Sequence, residues 1–280
     1  MFQRIGFIGT GAMGGAVAKI AAASAPGAAL YLANHTAAKA EALAAQLPGA
    51  RAASNEEVAA VCDLIFLAVK PQVMPRALPA LADCLARRTD RFVLVTMAAG
   101  LTCRTIRELA GGDYPVIRMM PNTPITVGAG AVQYCGLDAT EAELAEFARL
   151  MAPAGLVDPL PEHLIDAASA LSGCGPAYVD LFLEALADGG VACGLPRRTA
   201  MAYAAAMVEG AARMARLSGD HPGALKDIVC SPGGSTIQGV RTLEERAFRG
   251  AVMDAVIAAY EKNLQLKGPH PTGTGQGETP

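Results

Sequence analysis

The sequence predicts an α/β chain, with an N-terminal Rossmann-type doubly wound sheet followed by an all-α C-terminal region. Three observations predict it. Short continuous apolar runs alternate with alanine-rich stretches through the first 160 residues, the strand signal ends after about Pro161, and a GxGxxG turn stands between the first run and the first helical stretch.

The strands expected are Arg4–Ile8, 30–33, 64–69, 92–96, 116–119 and 131–134. Each is a short apolar run, as expected of strands covered on both faces in a parallel sheet. Helices are expected between them at 12–20, 37–47, 55–61, 75–86, 103–110 and 140–151. Three long helical segments follow, at 163–191 (interrupted by Gly173-Cys174-Gly175-Pro176), 196–217 and 236–266, with Pro196 suited to a first helical turn. Residues 200–208 are apolar on every face, so their helix must be buried all round. A region of about 110 residues buries such a helix most simply against a second copy, which makes this half the expected oligomer interface. The expected divisions are 1–160, a nucleotide-binding domain, 161–267, a helical dimerisation domain, and 268–280, a disordered tail rich in Gly, Pro and Thr.

Composition removes several classes of function. Lys+Arg 23 against Asp+Glu 26 leaves a net charge of −3, with no basic surplus for a nucleic-acid backbone. The apolar runs are too short to span a bilayer, and the N-terminus enters a strand by residue 4 without signal-peptide features. Seven scattered cysteines without a CxxC pair, and four isolated histidines, fit reduced thiols in a cytoplasmic protein and offer no metal site.

Gly9-Thr10-Gly11-Ala12-Met13-Gly14 follows a strand and opens a helix. Gly9 permits the tight turn, Gly11 lets the backbone approach a pyrophosphate, and Gly14 lets helix and sheet pack closely. The free N–H groups and positive helix end then hold phosphate. After the next strand, where a carboxylate would grip the 2′-hydroxyl of NAD, the chain reads Asn34-His35-Thr36, with Lys39 a turn later. A carboxylate there would repel a 2′-phosphate by as much as ~4 kcal/mol per charge pair, so its absence favours NADP while allowing NAD. Asn34 and Thr36 also suit a helix cap. Lys70 leaves the end of the strand 64–69 beside Pro71, where a cofactor or substrate is expected, and reads otherwise as a solvated surface charge. Met97-Ala98-Ala99-Gly100 offers small residues against which a nicotinamide could lie, and Met119 to Pro124 reads as a proline-rigid loop lining the same crevice.

Ser231-Pro232-Gly233-Gly234-Ser235-Thr236 precedes the last helical segment. Two glycines let N–H groups converge on an anion, and the helix start adds a positive dipole end. With few donors and no arginine, a small carboxylate is the natural guest. A plain helix N-cap accounts for the same residues equally well. The helix break at Ser169 to Tyr178 reads either as close approach to a ligand or the facing domain, or as a kink between packed helices.

These segments together, GxGxMG at residue 9, Leu67-Ala68-Val69-Lys70-Pro71, Met120-Pro121-Asn122-Thr123-Pro124, Leu171-Ser172-Gly173-Cys174-Gly175-Pro176-Ala177-Tyr178 and Ser231 to Leu243-Glu244, resemble pyrroline-5-carboxylate reductases, in order from about residue 4 to about 266. The resemblance implies reduction of 1-pyrroline-5-carboxylate to proline with NADPH or NADH, the last step of proline synthesis. It also implies a homodimer through the C-terminal helices, with larger assemblies such as decamers built from dimers. Carried over by position, Gly9, Thr10, Gly11, Ala12, Met13, Gly14, Asn34, Asn55, Ala68, Val69, Lys70 and Pro71 contact the cofactor, and Met97, Ala98 and Ala99 lie near the nicotinamide. Ser231, Gly233, Gly234, Ser235 and Thr236 hold the substrate, with the Thr236 hydroxyl as candidate partner of the ring nitrogen. The chain departs from the family pattern at His35, where Arg is common, and at Ser235, where Thr or Ala is common. The alternatives are a β-hydroxyacid dehydrogenase-like enzyme and a non-catalytic NADP-binding regulator. The first resemblance calls for a lysine on the helix entering the second domain, and none stands between Lys70 and Lys226; the second leaves the small-acid cradle without a use.

Overall fold

The computed structural model describes residues 2–266, so the expected tail at 268–280 lies outside the described residues. The chain divides into two units, one running to Gly173 and including the residues from Ala259 onward, the other Cys174–Ala258.

The first unit holds an eight-stranded sheet: β1 (Arg4–Ile8), β2 (Ala29–Ala33), β3 (Ala50–Ala52), β4 (Leu64–Leu67), β5 (Val93–Thr96), β6 (Val116–Pro121), β7 (Gly130–Leu137) and β8 (Gly155–Pro159). Their order is β3-β2-β1-β4-β5-β6-β7-β8. β1 to β6 are mutually parallel, β7 runs against β6, and β8 lies parallel to β7. Successive side chains point to opposite faces, and both faces are covered. Phe7, Phe66 and Val95 enter one core with Val17 and Phe147, while Ile8, Ile65 and Leu94 enter the other with Val58 and Ile106. Phe7 and Phe66, opposed across β1 and β4, stack with ring centroids 4.7 Å apart.

Two strands escape the sequence reading. β3 is an alanine-flanked arginine at one edge of the sheet, and β8 is a largely exposed edge strand, so neither carries an apolar run. The strand read as 64–69 stops at Leu67, and the one read as 116–119 continues to Pro121. The segment read as a proline loop then turns into a short 3-10 helix, Thr123–Val127, with proline in the first turn where no N–H is needed. The stretch 75–86 is three short pieces, Met74–Ala77, Pro79–Leu81 and Ala82–Ala86.

The break at 169–176 is a π-helical turn, Ser169–Gly173, between the helices Glu162–Ala168 and Gly175–Ala192. Side chains of the sheet hold it. Ser172 donates its hydroxyl to Gln133 Oε1 on β7 at 2.9 Å, and Asn122 donates to the Ser172 carbonyl at 3.0 Å while accepting from the Ala131 N–H at 2.9 Å. The break therefore brings Ser172 onto Gln133 and Asn122 of the sheet-bearing unit.

The second unit is helical: Gly175–Ala192, Arg197–Ser218, Pro222–Val229, Ser235–Glu245 and the first part of Phe248–Leu266. Pro196 is the N-cap of its helix rather than a first-turn residue. Pro222–Val229 adds a helix, and the segment read as one helix over 236–266 breaks at Ala247, whose φ of +55° is left-handed. Residues 200–208 are not buried within the chain: Ala200 and Ala204 are covered, but Tyr203 is 64% exposed and Met207 50%. Among the described residues none covers Tyr203 or Met207 fully, which leaves an apolar helix face exposed.

Candidate functional site

β1 ends at the point where the strand order reverses, since its two neighbours in the sheet are β2 and β4. In a doubly wound sheet the crevice beyond such a point is where ligands bind. Here the Gly9 N–H bonds to the Ala33 carbonyl at 2.9 Å and the Ala68 N–H to the Ile8 carbonyl at 2.8 Å, which draws the ends of β1, β2 and β4 together. Gly9 sits at φ +105°, and a Cβ there would stand 2.7 Å from the Ala68 carbonyl oxygen. A Cβ on Gly14 would collide with the Gly9 carbonyl oxygen and approach Ala68 Cβ to 2.9 Å. Gly11 is different: nothing lies within 4 Å of where its Cβ would be. Gly11 is the N-cap of the helix Ala12–Ser24, and no side chain caps its first amides. Two glycines make the turn, and the third leaves the helix start open.

Over this turn lies a cavity of about 530 Å³. Gly9, Gly11, Asn34, Asn55, Ala68, Val69 and Lys70 line it, together with Ile8, His35, Glu56 and Arg76. Asn34 does not cap a helix. Its Oδ1 accepts the Thr10 N–H at 3.2 Å and its Nδ2 donates to the Thr36 carbonyl at 3.1 Å, so it braces the glycine turn from the end of β2. Thr36 is the N-cap of the helix Ala37–Ala44, but its side chain accepts no N–H. Asn55 opens the helix Asn55–Val61, whose start is fixed by Ser54 accepting the Glu57 N–H at 3.1 Å.

Other expected residues lie elsewhere. Thr10, Gly11 and Ala12 line a second cavity of about 680 Å³ with Lys19, Lys39, Ile125 and Thr126. The turn after β6 therefore faces that cavity, not the one beside Asn34 and Lys70. Gly14 is buried beneath the turn, and Met13 packs against the core. Pro71 lies next to Lys70, outside both sets of lining residues. Beyond β5, Ala98 is buried in the core with its N–H on Thr96 Oγ1 at 3.2 Å, while Met97 and Ala99 are half-buried.

Sequence reasoning missed Arg76. It reaches the cavity because the helical turn Met74–Ala77 sends Met74 into the core and leaves Arg76 outside. It also missed a meeting of thiols: Cys103 Sγ and Cys135 Sγ are 4.0 Å apart beside Glu162, although the cysteines look scattered along the chain.

In the second unit, the Gly234 N–H closes a turn onto the Ser231 carbonyl at 3.0 Å, and Gly233 is left-handed at φ +69°. A Cβ on Gly234 would collide with Ser231 Oγ. Gly234 is the N-cap of the helix Ser235–Glu245, and no side chain caps it. Ser231, Ser235 and Thr236 are exposed. No side chain caps this helix start, so its first amides have no partner within the helix.

A family model described as pyrroline-5-carboxylate reductase dimerisation matches residues 162–266, and one described as NADP oxidoreductase, coenzyme F420-dependent, matches residues 4–100. The pyrroline-5-carboxylate reductase of Escherichia coli (strain K12) is 39% identical over 269 residues, spanning 95% of this chain and 99% of that one. The Arabidopsis thaliana pyrroline-5-carboxylate reductase is 45% identical over 214 residues, 76% of each chain. Among solved structures, Plasmodium falciparum pyrroline carboxylate reductase with NADP bound matches with a TM-score of 0.83 at 32% identity, over 95% of this chain and 98% of that one.

Proposed function

This chain belongs to the pyrroline-5-carboxylate reductase family, and from that premise we infer that it reduces the C=N bond of 1-pyrroline-5-carboxylate to L-proline, the last step of proline biosynthesis, using NADPH with NADH as the alternative donor. The observation that carries the reading is the cavity at the strand-order reversal, roofless at Gly11 and lined by cationic groups. The fit to a dinucleotide is steric as well as electrostatic. Side chains are excluded at Gly9 and Gly14 by close backbone, and space is kept at Gly11, where a pyrophosphate needs the amides.

When bound, the nicotinamide supplies hydride to the imine carbon. The chain's own residues supply the rest. Gly9 to Gly14 hold the pyrophosphate, with Asn34 bracing the turn. Asn55, Ala68, Val69 and Lys70 border the nucleotide, Pro71 fixes the chain beyond Lys70, and Met97 to Ala99 offer a small surface to the nicotinamide. Arg76, His35 and Lys70 share the cavity with a single acid, Glu56, a balance that suits a 2′-phosphate. On the substrate side, the amides after Gly234 and the hydroxyls of Ser231 and Ser235 take the carboxylate. The Thr236 hydroxyl hydrogen-bonds the ring nitrogen and passes it a proton as negative charge develops there.

The family match at 162–266 makes the helical half the dimerisation region, which accounts for the exposed apolar helix at Tyr203 and Met207. The working division is 1–160 for cofactor binding and 161–267 for substrate and dimer contacts, with higher assemblies built from dimers. Seven free thiols support a reducing compartment, the cytoplasm. No helix among the described residues is long and apolar enough to cross a membrane.

The experiment is NADPH oxidation with pyrroline-5-carboxylate, and in parallel with tartronate semialdehyde, a β-hydroxyacid dehydrogenase product. Turnover of the first alone supports the reading. Turnover of the second alone, or cofactor binding without turnover of either, overturns it. Within the reading, Thr236→Val should lower kcat with NADPH affinity unchanged, and full retention of kcat and KM removes the role given to Thr236.

A further inference from the structure

We propose that Cys135 and Cys103 form a redox-responsive thiol pair, which a peroxide closes into a disulfide. The two sulfurs are 4.0 Å apart, so a rotation about the side-chain bonds has to close only about 2 Å to reach disulfide length. The pair is built by the fold. Cys103 opens the helix Cys103–Ala110, held there by its N–H on Glu162 Oε1 at 2.7 Å and by Thr102, whose side chain accepts the Thr105 N–H. Cys135 lies on β7 directly opposite Arg118 of β6.

The two thiols are unequal, which sets the order of events. Cys135 is half-buried and within reach of a small oxidant, whereas Cys103 is 1% exposed. The hydrogen bond from Cys103 lowers the Cys135 pKa, and the Arg118 charge adds to this against burial and Glu162. The same hydrogen bond, together with burial, pushes the Cys103 thiol up, so Cys103 keeps its proton. Cys135 is therefore the nucleophile and Cys103 the resolving thiol.

The Cys135 thiolate attacks one peroxide oxygen, the O–O bond breaks, and the departing hydroxide takes a proton to become water. Cys135 is then a sulfenic acid. Cys103 attacks that sulfur, the S–S bond forms, the S–O bond breaks, and the oxygen leaves as a second water with the Cys103 proton. Two thiols are oxidised by two electrons, and the peroxide is reduced by the same two.

Cys103, Cys135 and Glu162 also bring their ligand atoms within 4.8 Å of one another, a spacing open to a metal ion. The neighbourhood disfavours that reading. Arg118 is fully buried and its guanidinium stands 3.7 Å from Glu162 Oε1, so a divalent cation would be held beside an existing buried positive charge.

The test treats the reduced full-length protein with hydrogen peroxide in the presence of glutathione as an internal control. Remaining thiols are then alkylated, and the chain is digested without reductant. The expected product is one linked pair of peptides, carrying Cys103 and Cys135, short of two hydrogens and separated by dithiothreitol. In Cys103→Ser the link is absent, and Cys135 is trapped as its sulfenic acid by dimedone. Full alkylation of both cysteines at a dose that oxidises the glutathione overturns the proposal, as does linkage of Cys135 to any other cysteine. Purified protein carrying one equivalent of zinc, which shields both thiols from alkylation until a chelator removes it, would make this a metal site instead.

Discussion

Arg118 and Asp166 form an ion pair sealed from solvent, with Nη2 2.6 Å from Oδ1 and side chains 0% and 2% exposed. It fastens β6 to the helix Glu162–Ala168, and Asn263 donates to the Asp166 carbonyl at 3.1 Å from the last described helix. Removing Asp166 leaves the buried Arg118 charge with the longer contact to Glu162, 3.7 Å away, in place of the 2.6 Å pair. Asp166→Ala should therefore cost about 3–5 kcal/mol of stability, read as a lowered urea midpoint. The apolar double replacement Arg118→Met with Asp166→Leu should recover most of that loss, because both desolvated charges disappear together. Equal losses in the single and double variants would show that the pair's charge is not what Asp166 contributes.

Gly11 and Gly14 should separate binding from folding. A methyl at Gly14 meets the Gly9 carbonyl and Ala68, so Gly14→Ala should lose about 1–3 kcal/mol by overpacking, along with cofactor affinity. A methyl at Gly11 meets nothing. Gly11→Ala should change stability by no more than ~1 kcal/mol, the scale of an N-cap change. It should still raise the KM for NADPH about tenfold, equivalent to about 1.4 kcal/mol, because the methyl occupies the phosphate approach. Thermal unfolding and steady-state kinetics on the two variants check this.

What the sequence made legible was chemistry carried by neighbouring residues. The helices Asn55–Val61 and Cys103–Ala110 are found at their expected bounds because Ser54 and Thr102 cap them locally. The glycine turn is legible for the same reason. β3 and β8 were hidden because edge strands bury little and need no apolar run. The Cys103–Cys135 pair was hidden because it depends on the register that sets Cys135 opposite Arg118, a relation across strands that spacing along the chain does not encode. The Asp166 pairing, 48 residues from Arg118, is hidden in the same way.

Arg76 is the residue through which cofactor choice should be altered. It lines the cavity with His35 and Lys70, and Asn34 stands where a ribose-binding acid would exclude a phosphate. A charge-assisted contact to a 2′-phosphate is absent with NADH. Arg76→Ala should thus raise the KM for NADPH about tenfold and leave that for NADH unchanged. An equal rise with both cofactors would place Arg76 outside the 2′-phosphate contact.

Glu143 should give the fold a measurable acid sensitivity. Its carboxylate accepts from Arg91 Nε at 2.6 Å and Nη2 at 2.9 Å, and from the Thr140 N–H at 2.7 Å, closing the capping box of the helix Glu141–Met151. The Arg91 contact is the chief reason its pKa is held below the ordinary carboxylate value, with the Thr140 hydrogen bonds adding to it against burial. A folded-state pKa below the unfolded one means the folded form binds fewer protons as pH falls. The contribution is therefore complete above the unfolded value of about 4.3 and is lost as pH drops through the lower folded value. Arg91 is half-exposed and solvent screens the pair, so Glu143→Gln should cost about 1 kcal/mol or less at pH 7. Urea unfolding of both proteins from pH 7 down to about 3 should show the gap closing below roughly pH 4; a gap that stays constant to the lowest pH would mean that Glu143 stabilises the helix by shape and not by charge.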